Sequence, residues 1–252
     1  MKGYLFISGC GRSGTSALAQ LIGSHKRIIL GMERYGHLVN NNNFSLTKSH
    51  FTKERFLNIN ENDTFYNDFD EFHKWDPNIK NKFVEGYDYI GDKRPELYLA
   101  IEKLNKIFNY PKHIYIYRNI YDVAMSWEHR ANVEKSWPEQ RNYKMAVSNW
   151  NESLKIALDA VKKYKNFACV KYENLYIKHH YPEEMFNFLN LRIDNSVKTM
   201  WESQIKQFNR IMEQRNSKNK LIVSNADENI YKYIDDNACF YEAEELDKYT
   251  II

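Results

Sequence analysis

The feature that most constrains this chain is a glycine-rich loop, Gly9–Ser16, which lies between a predicted strand and a predicted helix. The preceding run, Tyr4–Ser8, is aromatic and β-branched, as is typical of a buried strand. From Thr15 to about Ser24, apolar residues recur at helical spacing. Because such a loop presents backbone N–H groups at a helix N-terminus, the sequence predicts an anion-binding site here.

One position separates this loop from the phosphate loop of nucleotide triphosphatases. The spacing G-x-x-x-x-G is present, but Thr15 occupies the position at which those enzymes carry a lysine for the β- and γ-phosphates. The positive charge is found instead at Arg12, whose guanidinium can donate two hydrogen bonds to a phosphate or sulfate. The loop therefore favours anion binding and opposes ATP or GTP hydrolysis.

Short apolar runs alternate with helical patterns along the rest of the chain. Strands are predicted at 28–30, 87–90, 113–117 and 167–172, and helices at 96–108, from 120, and at 143–164, 181–189 and 196–213. This alternation predicts an α/β fold with three layers, in which helices flank a mainly parallel central sheet. The absence of linkers and repeats favours a single domain over residues 1–252. Residues 37–83 show no clean period, so we expect an insertion of loops and short helices there.

Composition excludes several classes of protein. The 36 basic and 33 acidic residues give a net charge of +3, which is too small for a general nucleic-acid binder. No apolar run is long enough to span a membrane, and the N-terminus does not have the pattern of a signal peptide. Cys10, Cys169 and Cys239 are too widely spaced for a metal pair or a disulfide framework, which favours a cytoplasmic protein with reduced thiols. The histidines form no zinc motif, so no metal is expected.

The loop resembles that of a known family. Arg12–Ser16 is similar to the 5′-phosphosulfate loop, R-S-G-T-[ST], of sulfotransferases that use 3′-phosphoadenosine-5′-phosphosulfate (PAPS), in particular the bacterial, tyrosylprotein and carbohydrate enzymes. The resemblance implies a P-loop-type sulfotransferase domain that releases adenosine 3′,5′-bisphosphate (PAP). It also implies that six residues of the loop bind the cofactor: Gly11, Arg12, Ser13, Gly14, Thr15 and Ser16.

A second segment matches the need for a second anion pocket, since PAPS carries a phosphate on its ribose 3′ position. Arg118 follows the strand predicted at 113–117, and ligands meet a parallel sheet at the ends of its strands. Ser126 and Arg130 lie one helical turn apart and are expected to share a face. Arg118 and Ser126 have the spacing of the family's 3′-phosphate motif, and Arg130 matches an arginine that some relatives carry one turn later.

The resemblance also supplies two candidate catalytic residues. Glu33 follows the second apolar run, close to where the bacterial and tyrosylprotein sulfotransferases carry a catalytic glutamate, and would accept the proton of a hydroxyl acceptor. Lys93, in a segment similar to the family's K-[TD]-P, would stabilise the charge that develops during transfer. The simpler alternatives are an exposed Glu33 paired with Arg34, and a solvated loop lysine.

Three further residues are assigned by resemblance alone. Tyr172 lies in a segment similar to [RY]-Y-E-x-L, whose tyrosine contacts the adenine. Ser217 and Lys232 match, in order, a segment that closes over the nucleotide, so residues 214–252 are expected to cover the cofactor. Residues 37–83 lie between the candidate base and Lys93 and are expected to shape the acceptor pocket.

Two other functions compete with a sulfotransferase. A P-loop kinase for nucleotides or small molecules is opposed by the missing lysine at Thr15, and a non-catalytic nucleotide-binding protein is opposed by the presence of both Glu33 and Lys93. The sequence leaves the acceptor open among saccharides, lipid head groups, tyrosyl peptides and small alcohols, with a soluble saccharide or another metabolite favoured. It also leaves the oligomeric state open.

Overall fold

The structure, a computed structural model, describes residues 3–40, 43–60, 63, 76–218 and 225–252. Its centre is a five-stranded sheet in the order β2-β5-β1-β6-β7, and each neighbouring pair is parallel. These strands are β1 (Gly3–Ser8), β2 (Ile28–Met32), β5 (Tyr89–Lys93), β6 (Lys112–Tyr117) and β7 (Phe167–Lys171). A two-stranded hairpin, β3 (Val39–Asn40) with β4 (Asn43–Phe44), lies apart from this sheet. The predicted α/β fold with a parallel sheet is confirmed.

Helices cover both faces of the sheet because the strands are apolar on both sides. The α-helices are α1 (Thr15–Gly23), α2 (Lys53–Leu57), α3 (Ile79–Glu85), α4 (Ile101–Phe108), α5 (Ile120–Glu128), α6 (Tyr143–Lys163), α7 (Tyr172–Tyr176), α8 (Glu183–Phe188), α9 (Asn195–Lys218), α10 (Asn225–Asn237) and α11 (Phe240–Asp247). Alternate strand residues point to opposite faces: Ile7 packs with the core beneath α1, whereas Phe6 packs with the core beneath α4.

The helices α5, α6, α10 and α11 enclose a third apolar cluster over the outer strands β6 and β7. The chain then returns to the sheet, where Ile251 and Ile252 exchange backbone hydrogen bonds with β7 next to Cys169 and Lys171. The C-terminal residues therefore pack against the outer strand, on the side away from β2.

Several element boundaries differ from those predicted, and one of these differences bears on the site. The strand predicted at 87–90 runs instead over Tyr89–Lys93, so that Gly91, Asp92 and Lys93 belong to the sheet. Gly91 fits there because its backbone faces the carbonyl oxygen of Leu5 so closely that an added Cβ would lie 1.6 Å from that atom. Of the region 37–83, the described residues form a hairpin, short helices and loops, as the sequence indicates.

Candidate active site

The glycine loop, Gly9–Ser16, joins β1 to α1 at the carboxyl end of the central strand. A Cβ on Gly9 would lie 2.2 Å from the carbonyl oxygen of Ile116, so only glycine allows β6 to pass this closely. Gly14 has a φ of 93°, in the left-handed region, and a Cβ there would lie 2.6 Å from the ring of Tyr172. Both glycines are therefore required by the shape of the loop.

The loop retains the features that an anion needs. Helix α1 begins at Thr15 without a side-chain cap and without an acidic residue in its first turn, which leaves its N-terminal N–H groups available. The hydroxyl of Ser13 is completely buried and has no hydrogen-bond partner among the described residues. A buried unpaired hydroxyl is costly, and a bound phosphate or sulfate oxygen would satisfy it. The loop fits the phosphosulfate group.

Arg12 links the loop to the second predicted anion site. Its Nε donates a hydrogen bond to the Oγ of Ser126 on α5, 3.0 Å away. The pKa of Arg12 lies below its ordinary value, first because of partial burial and then because the positive charges of Arg130 and Arg118 are close. Three guanidinium groups therefore lie close to the loop, but Arg118 lines a different cavity from Arg12 and Arg130.

Arg118 follows β6 and is held on two sides. Its guanidinium donates to the carboxylate of Asp122, at 2.8 Å from Nη2, and its carbonyl oxygen accepts from Nε1 of Trp150 at 2.9 Å. Its Cζ lies 4.4 Å from the centroid of the Tyr172 ring. Because Tyr172 also contacts Gly14, its ring lies between the loop and Arg118.

Ser126 and Arg130 both face this region, but Arg130 is not on the regular helix. Helix α5 ends at Glu128, and Arg130 lies on a wider π-helical turn, His129–Val133. The guanidinium of Arg130 lies 3.8 Å from a carboxylate oxygen of Glu134. Ser126 and Arg130 therefore face the same region, but Arg130 does so from a π-helical turn and not from the regular helix that the sequence predicted.

Glu33 and Lys93 form the other half of the site. Glu33 follows β2, Lys93 ends β5, and the backbone N–H of Glu33 donates to the carbonyl of Lys93 at 2.7 Å. The Lys93 amine donates to Oε1 of Glu33 at 2.6 Å and to Oγ of Ser16 at 3.0 Å. One buried amine therefore contacts both the candidate base and the glycine loop. The solvated loop lysine that the sequence left as an alternative is wrong, because the Lys93 side chain is 1% exposed.

The turn that carries Glu33 is held by a residue that the sequence did not single out. Asp92 is 3% exposed, and its carboxylate accepts hydrogen bonds from the backbone N–H groups of Arg34, Tyr35 and Lys93 at 2.9–3.2 Å. Burial raises the pKa of Asp92 to about 6, against the effect of these hydrogen bonds. The sequence offered no clear signal for it, because Gly91 and Asp92 have the composition of a turn.

Arg34 does not lie at the surface, as it would in the exposed pair with Glu33. Its side chain is fully buried and forms an ion pair with Asp63, which is also fully buried. Arg55 donates to the same carboxylate at 2.9 Å. This ion cluster fixes the described part of the 37–83 region next to the Glu33 turn.

A cavity of about 360 Å³ opens between these two halves. Its lining includes Arg12, Thr15, Ser16, Glu33, Trp127 and Trp137. Arg130 and Arg141 also line it. The sequence analysis had not assigned the two tryptophans or Arg141 to the site, since nothing in their spacing distinguishes them from core and surface residues.

Two predicted cofactor residues are not brought to this cavity by any described contact. Lys232 is exposed on α10, which packs on α5 and α6 through Tyr231 and Tyr233. Ser217 belongs to α9, but its side chain lies outside the described part of the structure. The expectation that 214–252 covers the cofactor stays a prediction.

No group of three or more histidine, cysteine, aspartate or glutamate side chains in the described ranges could hold a metal ion. Within those same ranges, every helix is too short or too polar to cross a membrane.

Comparisons with known proteins bear on the family and the fold. Residues 5–195 match the profile of a family described as the sulfotransferase family. The chain is similar to a sulfotransferase domain from the curacin biosynthetic pathway, with 18% identity, a TM-score of 0.53, and coverage of 78% of this chain and 77% of that one. It is also similar to mouse sulfotransferase SULT7A1 complexed with PAP, with 16% identity, a TM-score of 0.50, and coverage of 81% and 65%. These two likenesses show the fold alone. No curated protein matches the sequence significantly.

Proposed function

Because this chain belongs to the sulfotransferase family, we propose that it transfers a sulfuryl group from PAPS to a hydroxyl acceptor, with Glu33 as the base. Family membership favours this function over the kinase that the sequence left open. The observation that carries the proposal is the position of the Lys93 amine, which contacts both Glu33 and Ser16 of the glycine loop. The base and the anion-binding loop are thereby held next to each other.

Different residues would bind the two ends of the donor. We assign the phosphosulfate to residues 11–16 and the N-terminus of α1, and the 3′-phosphate to Arg118, Ser126 and Arg130. The contacts that support this are the Arg12–Ser126 hydrogen bond and the Tyr172 ring between Gly14 and Arg118. When bound, PAPS supplies an activated sulfuryl group, whose bond to the 5′-phosphate breaks as the bond to the acceptor oxygen forms.

Each catalytic side chain then has one task. Glu33, as a carboxylate, accepts the proton of the acceptor hydroxyl. Lys93 donates hydrogen bonds to the oxygen on which negative charge collects, namely the one left on the departing phosphate. Arg12 adds positive charge from the opposite side of the loop. The net products are the sulfated acceptor and PAP.

Calorimetry tests the donor directly. We expect PAP to bind more tightly than AMP or ATP, because only PAP carries both phosphates that the arginines would hold. Arg118→Gln should remove roughly tenfold or more of the affinity for PAP and little of that for AMP, which lacks the 3′-phosphate.

Arg27→Gln is the matched control, since Arg27 pairs with Asp88 at the other end of β5. It should leave both affinities unchanged. ATP binding as tight as that of PAP, or equal losses of PAP and AMP affinity in Arg118→Gln, would disprove the assignment of the 3′-phosphate.

A further inference from the structure

Two tryptophans form a wall of the 360 Å³ cavity, which Glu33 and Ser16 also line. Trp127 is buried, and its Nε1 donates to the carbonyl oxygen of Gly11 at 2.9 Å. Trp137 packs edge-on against it, with ring centroids 5.1 Å apart and planes at 82°. This wall is therefore fixed to the glycine loop itself and forms a rigid platform in the cleft.

Arg141 lies over this platform. Its Cζ is 4.9 Å from the centroid of Trp137 and 5.7 Å from that of Trp127, both within the range of a cation–π contact. Its backbone N–H donates to the carbonyl of Pro138 at 2.9 Å, which closes the turn that brings it into the cleft. The two rings hold the guanidinium in place without using its hydrogen-bond donors.

Two cations that line the cavity, Arg12 and Arg141, have no carboxylate partner among the described residues, and Arg12 is assigned to the donor. Glu33 is paired with Lys93, and Glu96 is paired with Arg94 at 3.1 Å. By contrast, no carboxylate in the described part of the chain lies within ion-pair distance of Arg141. A guanidinium that is held over two rings, lacks a carboxylate partner among the described residues and lines the same cavity as the candidate base is a recognition group for an anionic ligand.

We infer that Arg141 binds an anionic group on the acceptor, so that the acceptor is a hydroxyl compound that also carries a carboxylate or a sulfate ester. The inference rests on the proposed function, because the donor's phosphates are assigned to Arg12, Arg118 and Arg130. Carboxylates and sulfates match the planar fork of an arginine. The cavity volume is that of a small-molecule site, which suits an acidic saccharide or a hydroxy acid.

Binding of simple probes to the PAP-loaded protein tests this without knowledge of the natural acceptor. The probes are methyl glucuronoside, phenyl sulfate and 4-hydroxybenzoate, each paired with a neutral analogue: methyl glucoside, phenol and 4-hydroxybenzamide. Tryptophan fluorescence is the readout, because Trp127 and Trp137 lie beneath the guanidinium. At least one acidic probe should bind roughly tenfold more tightly than its neutral partner.

Arg141→Gln should abolish that difference and leave the affinity for PAP unchanged. Arg192→Gln removes the same charge from an exposed position in a separate cavity and serves as the matched control. The inference is wrong if no acidic probe exceeds its neutral partner, or if Arg141→Gln weakens both alike. It is also wrong if Arg141→Gln weakens PAP binding, since Arg141 would then belong to the donor site.

The two proposals fail in different ways. If PAP does not bind the wild-type protein, the proposed donor is wrong, and the same probes can be titrated into the unloaded protein. If PAP binds but the acidic probes gain nothing, the donor assignment stands and only the role of Arg141 is lost.

Discussion

The two halves of the site use their charges in opposite ways. On the loop half, Arg118 and Arg130 have carboxylate partners, Asp122 and Glu134, but Arg12 has no ion-pair partner among the described residues, so positive charge is left over. On the Glu33 half, buried charges are paired: Arg34 with Asp63, and Lys93 with Glu33. The loop half therefore has positive charge that a ligand would neutralise, whereas the charges of the Glu33 half are neutralised by side chains of the protein itself.

This difference has a consequence for catalysis. Groups that only a ligand neutralises can adjust when it arrives, whereas a base must be positioned beforehand to accept a proton efficiently. The Glu33 backbone has a φ of 56°, in the left-handed region, and the hydrogen bonds to Asp92 hold the residues that follow it. The buried polar contacts on this half of the site therefore fix the position of the base.

The largest expected effect concerns the base. Glu33→Gln keeps the shape of the side chain but cannot accept a proton, so turnover should fall by roughly 10²–10⁴-fold. The affinity for PAP should be unchanged, because the glutamine can still accept the hydrogen bond from Lys93 and so keeps the link to Ser16. The measurement is PAP release from PAPS with hydroxyl acceptors, paired with calorimetry. Glu85→Gln, an exposed position on α3, is the control, and unchanged turnover in Glu33→Gln would remove Glu33 from the mechanism.

The next prediction concerns stability and tests the difference between the two halves directly. Arg34→Met leaves Asp63 buried with Arg55 as its remaining ion-pair partner, so the free energy of unfolding in urea should fall by about 1.5–3 kcal/mol. Arg12→Met, on the loop half, should cost less than about 1 kcal/mol because Arg12 is exposed. The double variant Arg34→Met/Asp63→Leu should recover part of the loss. Equal costs for Arg34→Met and Arg12→Met would show that the two halves do not differ.

Most of the loop half could be predicted from the sequence, because its parts are close together along the chain. The strand before Gly9, the glycines and the helix after Thr15 form one continuous segment, and turn chemistry, capping and periodicity act within a few residues. The same holds for Arg118, Ser126 and Arg130, which lie on one short stretch. The π-helical turn at Arg130 was not predicted, since the spacing of Ser126 and Arg130 does not distinguish it from a regular helix.

Less of the Glu33 half could be predicted, because its contacts join residues that are far apart in the sequence. Asp92 lies 58 residues from Arg34, and Asp63 lies 29 residues from it. Gly91 and Asp92 have turn composition, which ended the predicted strand too early, whereas burial between β1 and β2 keeps them extended. The two tryptophans were not predicted as site residues for a related reason, since an aromatic residue at a site has the same local pattern as one in the core.

The third prediction is a pH dependence on the Glu33 half. With a folded pKa of about 6 and an unfolded value near 3.9, Asp92 holds a proton in the folded protein that the unfolded chain has released. Its contribution to stability is therefore greatest below about pH 4 and is lost as the pH rises through about 6. The free energy of unfolding of wild type minus that of Asp92→Asn should decrease by about 2–3 kcal/mol between pH 4 and pH 7.

Urea denaturation across that range measures this difference. Asp122→Asn, on the loop half, alters a carboxylate that is 42% exposed and should change the same difference by less than about 1 kcal/mol. A difference for Asp92→Asn that rises with pH would mean that its three backbone donors outweigh burial, which would reverse the direction given above for its pKa.

The smallest expected effect concerns the ring that connects the parts of the loop half. Tyr172 touches Gly14 and supports Arg118 at 4.4 Å, so Tyr172→Leu removes a cation–π contact of about 0.5–1 kcal/mol and leaves Arg118 held by Asp122. The affinity for PAP should fall by roughly two- to fivefold. Tyr172→Phe keeps the ring and should bind PAP nearly as well as wild type. If Tyr172→Phe loses as much as Tyr172→Leu, the hydroxyl is the important group, and the ring does not organise the loop half.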